Sequence, residues 1–147
     1  MKYLYPLACI LFFSSCNDNN NNKPIDEWEL NKNTRILNNE NSSYQEARRL
    51  AQANIGSFIK SFDNNRDSLE FYIKAGFSDE RGAENMWVRV YSVGDSMLGV
   101  LDNNPITIRK NRLGDSVVVN IIEIVDFSIY KGDSVIQGNY LNQVLEK

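Results

Sequence analysis

The spacing of the apolar residues changes after Asn64-Asn65. Before that point Ala47, Leu50, Ala51, Ile55, Phe58, Ile59 and Phe62 recur every three or four residues, which lines one face of an α-helix. After it the period is two, as in a half-buried strand. Leu69, Phe71, Ile73, Ala75 and Phe77 alternate with Glu70, Tyr72 and Lys74, and Met86, Val88 and Val90 alternate with Trp87, Arg89 and Tyr91. Further strands are expected at Met97 to Leu101, Ile106 to Arg109 and Ser116 to Val125. A last hairpin joins Asp126 to Tyr130 with Ser134 to Gln137 through a Gly132-Asp133 turn. No second helical stretch separates these strands, which excludes repeated βαβ units and a parallel sheet. The expected fold is α+β: one N-terminal amphipathic helix packed on a strongly bent antiparallel sheet or small open barrel of about five to six strands.

The helix is expected over Ser43 to Phe62. Ser43, with Glu46 three residues on, has the form of a reciprocal capping box that satisfies two otherwise orphan N–H groups. Gly56 weakens such a helix by up to about 1 kcal/mol relative to alanine, so close packing of the glycine on the sheet is the expected reason for its presence.

Upstream of the helix the chain changes character twice. Lys2, the apolar run Tyr3 to Phe13 and the small residues Ser14-Ser15 have the form of an export signal cut before Cys16. The run, about eleven residues, is too short for a membrane span, which needs roughly 20. The segment resembles a bacterial lipoprotein signal, although Phe13 stands where an aliphatic residue is usual, and the resemblance implies acyl chains on Cys16 that hold the protein to a lipid bilayer. Removing the signal takes away Cys9 as well, leaving one thiol and no possible disulfide. Asparagines dominate residues 17–43, a polar stretch expected to act as a tether, in which Trp28, Leu30, Ile36 and Leu37 are the apolar exceptions available for an ordered strap. The expected division is therefore signal 1–15, lipidated Cys16 and tether 16–43, and one globular domain 44–147.

Composition narrows the chemistry. The chain contains no histidine, so Ser-His-Asp and Cys-His arrangements and the usual His/Cys zinc sites are excluded. No glycine-rich loop joins a strand to a helix, so no phosphate cradle is offered. The formal charge is −3, or −4 once Lys2 is removed, and there is no basic stripe for nucleic acid. No cofactor or metal is expected. Carboxylates remain: Asp79, Glu80 and Glu84 lie together, and Glu123 with Asp126 flank the end of an expected strand. Each group also has a plain reading as a solvated loop or as a cross-sheet partner of Arg89 or Arg109. Trp87, opposite the Met86, Val88 and Val90 face, either covers a second small core or lines a surface groove.

Four blocks occur in register: Glu84-Asn85-Met86-Trp87-Val88-Arg89-Val90, Gly99-Val100-Leu101-Asp102-Asn103-Asn104-Pro105, Leu113-Gly114-Asp115-Ser116-Val117-Val118-Val119, and Glu123-Ile124-Val125-Asp126-Phe127. With Lys74-Ala75-Gly76-Phe77 and Gly138-Asn139-Tyr140, the chain from about Tyr44 to Leu145 resembles the domain-of-unknown-function family 2314, the YegJ-like proteins. Asn85 stands where that pattern has histidine, and Phe127 where it has tryptophan. The resemblance implies a domain and no activity. The leading expectation is a membrane-anchored, non-catalytic binding module at the bacterial cell envelope, with Glu84, Trp87, Glu123 and Asp126 as its functional surface and an unknown protein or envelope ligand as partner. Two alternatives stay open: a hydrolase or glycan-active enzyme built on paired carboxylates, and an immunity or inhibitor protein.

Overall fold

In a computed structural model of the chain, residues 42–145 are described. The expected signal, Cys16, the strap and nearly all of the tether lie outside those residues. Helix α1 spans Ser42–Asn65, beginning one residue before Ser43. Its buried residues, Tyr44, Ala47, Ala51, Phe58 and Phe62, follow the helical period read from the sequence. Past the helix end the strands are β1, Glu70–Asp79; β2, Gly82–Val93; β3, Ser96–Leu101; β4, Ser116–Asn120; β5, Ile124–Lys131; and β6, Ser134–Gly138. A short helix α2, Tyr140–Leu145, follows.

The six strands form one open sheet in the order β4-β3-β2-β1-β5-β6, and every neighbouring pair is antiparallel. This is the α+β architecture expected from the sequence. Four strand spacings separate β4 from β5, about 19 Å in a flat sheet. Only the three-residue 3-10 helix Ile121–Glu123 joins them, and a segment that short cannot span the gap. The sheet therefore curls, and Ala75 and Phe77 of β1 line the same surface cleft as Val117 and Val119 of β4.

Phe58 is fully buried and meets Phe71 and Phe127 edge-on, with ring centroids 5.5 and 5.1 Å apart. Each such pair adds about 0.5–1.5 kcal/mol beyond the area it buries. Ile73, Met86, Val88, Met97 and Leu101 complete this apolar face of the sheet. At its other end α1 is tied by side chains: the Gln52 amide donates to the carbonyls of Ile121 (3.0 Å) and Ile124 (2.7 Å), and the Arg48 guanidinium donates to that of Ile122 (3.1 Å).

Three details differ from the sequence reading. Ile106 to Arg109 is not a strand. Its N–H groups are taken by carboxylates rather than by a ladder, and Ile108 alone is buried as a plug beneath the loop. The stretch Ser116 to Val125 is broken at Asn120, whose side chain and that of Glu123 cap the 3-10 turn reciprocally. Gly56 does not pack closely on anything, since a Cβ placed there would meet no atom within 4 Å. The β5–β6 hairpin turns at Gly132-Asp133 as expected, with Gly132 at φ +58.

Candidate functional site

The four residues named from the sequence do not share a cleft. Glu84 accepts hydrogen bonds from the backbone N–H groups of Ile106 and Thr107, and nearby Asp79 accepts from Arg109 (2.6 Å), Arg81 (2.8 Å) and Lys110 (3.0 Å). Together they fasten the 102–115 loop to the β1–β2 end of the sheet. The backbone N–H groups of Arg109 and Arg81 hold the Asp79 carboxyl below its usual value. The Glu123 carboxylate accepts from the Asn120 N–H at 3.3 Å. Asp126 is fully buried and accepts from the backbone N–H groups of Phe127 (2.8 Å), Leu141 (2.9 Å) and Tyr140 (3.1 Å). That makes it the cap of α2, supplied from another strand because Asn139, at φ +62, reverses the chain out of β6.

Register gives the spacing of the acids. Glu84 lies opposite Phe77 and Asp126 opposite Lys74, which puts their backbones about 14 Å apart. Among the described residues no cluster of His, Cys, Asp and Glu could hold a metal ion.

The other face of the sheet is built differently. Strand alternation puts Phe71, Ile73 and Ala75 toward α1, and Tyr72 and Lys74 away from it. Pairing then sets Lys74 between Trp87 of β2 and Asp126 of β5, and Tyr72 between Arg89 and Ser128. Continuing outward, Arg89 pairs with Val100, and Leu98 pairs with Val118. Arg89, Leu98 and Val118 are exposed, while Lys74 and Trp87 are half-buried. The Lys74 ammonium lies 5.1 Å from the centroid of the Trp87 ring, a contact worth about 0.5–1 kcal/mol or more as water is excluded. The strand carrying Trp87 is pinned at that point: its N–H donates to Asn103 Oδ1 at 2.7 Å, and its carbonyl accepts from Asp102 at 2.9 Å.

Burial pushes the Lys74 amine below its ordinary value, with the Asp126 charge acting in the opposite sense. Burial pushes the Asp126 carboxyl up against the pull of its three backbone donors. The two groups attract but form no ion pair within 4 Å, because the Asp126 oxygens are directed at α2. Beside them Ser128 Oγ is buried without a partner, and the Asn85 amide donates to the Tyr44 hydroxyl at 3.4 Å.

Clefts formed by the described residues open on the surface. One, of about 290 Å³, is lined by Phe77, Lys110, Val119 and Glu123; another, of about 520 Å³, by Phe62, Leu69, Arg89 and Tyr91. Trp87 belongs to neither cleft and to neither apolar cluster, so it is a half-buried residue of the outer face. Lys74 is the residue that sequence reasoning passed over. Alternation placed it on the polar face, but its position between Trp87 and Asp126 required knowing that β1 lies between β2 and β5.

Residues 41–147 match the family model described as "Uncharacterized protein conserved in bacteria (DUF2314)". No curated protein and no solved structure matches the chain.

Proposed function

The chain belongs to the DUF2314 family, a membership that carries no activity with it, and from that premise we propose that the protein is a non-catalytic binding module. It is held at the bacterial cell envelope through acylated Cys16, and the polar face of its sheet meets the ligand. The observation that carries this reading is the contrast in use of side chains. Asp79, Glu84, Glu123 and Asp126 are occupied in holding backbone N–H groups. The outer face around Lys74 and Trp87 keeps its hydrogen-bond donors without acceptors among the described residues.

Anchoring is supported by Lys2, the apolar run Tyr3 to Phe13, and Ser14-Ser15 before Cys16. Two or three acyl chains make such attachment durable where one does not. The overall acidity of the chain favours a protein or envelope ligand over nucleic acid.

The test has two parts. In a bacterium expressing the full chain, the protein should sediment with membranes and the Cys16 peptide should carry acyl mass, while Cys16→Ala should leave the protein unacylated. A screen of hydrolase and glycosidase substrates should show no turnover; turnover abolished by Glu84→Gln or Glu123→Gln would replace the binding reading with a catalytic one.

A further inference from the structure

Around Lys74 the outer face carries several donors that no acceptor among the described residues takes up. The Lys74 ammonium has neither a hydrogen bond nor an ion pair among the described residues. Its nearest carboxylate, Asp126, is spent on the N–H groups of Phe127, Tyr140 and Leu141. The Trp87 indole N–H and the Arg89 guanidinium likewise have no acceptor among the described residues. Nearby, the Tyr72 hydroxyl donates to Glu70 at 3.2 Å, the Tyr44 hydroxyl receives the Asn85 amide, and the Glu70 and Asp102 carboxylates stand at the Tyr72 end of the face.

Lys74 is directly opposite Trp87, and Tyr72 directly opposite Arg89. Lys74 and Arg89 are therefore diagonal neighbours, about 7–8 Å apart at the backbone, and both side chains are long enough to converge on one small group. Lysine, arginine and indole donate and cannot accept, so the complement of this triangle is an oxyanion. Beyond Arg89 the same face turns apolar, with Val100, Leu98 and the exposed Val118 on β3 and β4.

We propose that the Lys74, Trp87 and Arg89 triangle is the binding site for an anionic amphiphile, its oxyanion held by the two cations and its apolar body lying along Trp87 toward Leu98. The inference rests on the reading of this face as the binding surface. Asp102 borders the site, since its N–H bonds to the Trp87 carbonyl, but it makes no ion pair with Arg89 within 4 Å. Its charge opposes the ligand and sets an upper limit on affinity.

Benzoate and phenyl phosphate are suitable probes, with benzyl alcohol as the neutral ring and acetate as the charge without a ring. Each is titrated into the full-length protein while the Trp87 indole N–H is followed by NMR; Trp28, the second tryptophan, serves as the internal reference. The expected result is a saturable shift of Trp87 with benzoate or phenyl phosphate, the tighter of the two identifying a carboxylate or a phosphate ligand. Benzyl alcohol and acetate should bind at least about tenfold more weakly. Lys74→Met and Arg89→Met should each weaken binding by about tenfold, Lys74→Arg should restore most of it, and Asp102→Asn should tighten it. Dispersed spectra of the variants guard against misfolding.

Equal binding of benzyl alcohol and benzoate would overturn the anion inference and leave an apolar docking face. No shift of Trp87 with either anion, or binding unchanged in Lys74→Met, would also overturn it. The reading of the face as a binding surface would fall separately, if photo-cross-linkers placed on it captured no partner.

Discussion

The two faces of one sheet follow opposite rules. On the α1 side, alternate residues of β1 and β2 pack with Phe58 and Phe62 in one apolar cluster. On the other side, the residues between them place a lysine, a tryptophan and an arginine in adjacent positions, with a buried aspartate directed away from them. The backbone is the same, so the difference lies in the side chains. The first face accounts for why the chain folds, and the second is where chemistry remains unused. The teaching is that the acids, which look functional in the sequence, serve the fold, whereas a strand lysine that looks ordinary sits over Trp87 with no hydrogen-bond acceptor among the described residues.

The most severe way to break the comparison is to hollow out the apolar face. Phe58→Ala removes a fully buried ring packed on Phe71 of β1 and Phe127 of β5 and should cost about 3–5 kcal/mol in denaturant unfolding. A loss under 1 kcal/mol would mean that α1 does not close the core.

Next in size is Asp126→Ala, which strips the cap from α2 and strands buried N–H groups. It should cost about 2 kcal/mol by the same measurement. The isosteric Asp126→Asn separates capping from charge through pH. The folded carboxyl sits above its ordinary value of 3.8. Stability from its protonation is therefore fully present below that value and is lost as pH rises through the folded pKa. Wild-type stability should fall across that window, and Asp126→Asn should flatten this part of the profile; an unchanged slope would refute the buried-carboxyl account.

Smaller still, Gly56→Ala should stabilise the protein by about 0.5–1 kcal/mol, because the site is helical and a Cβ there meets nothing. Destabilisation would show that the glycine has a packing role after all. Lys74→Met should change stability by no more than about 1 kcal/mol, the size of its contact with Trp87. A stability loss as large as that of Asp126→Ala would make Lys74 part of the framework and erase the contrast between the faces.

Much of the framework was legible because it is written in local periods. The α1 stripe, the β1 and β2 alternation and the Gly132-Asp133 turn each require only neighbours within a few residues. What was missed depends on partners far along the chain. Ile106 and Ile108 alternate like a strand, yet their segment is held by Glu84 and Asp79, more than twenty residues away. The break after β4 did have a local sign, Asn120 followed by Glu123 at capping-box spacing. It was masked by the β-branched run on either side.

The site was less legible than the fold. Trp87 was correctly placed on the face opposite Met86, but the capping role of Asp126 needed α2, fourteen residues on. Lys74 acquires significance only from the strand order, which no single segment of sequence contains.

The central claim is that the outer face, and not the helix surface, meets the ligand. A photo-reactive residue installed in the full-length chain at exposed Val118 on the outer face, and in a separate protein at exposed Lys60 on α1, tests it in the expressing bacterium. The account predicts a discrete cross-linked adduct from position 118 and none from position 60. An adduct from position 60 alone, or none from either, would contradict it.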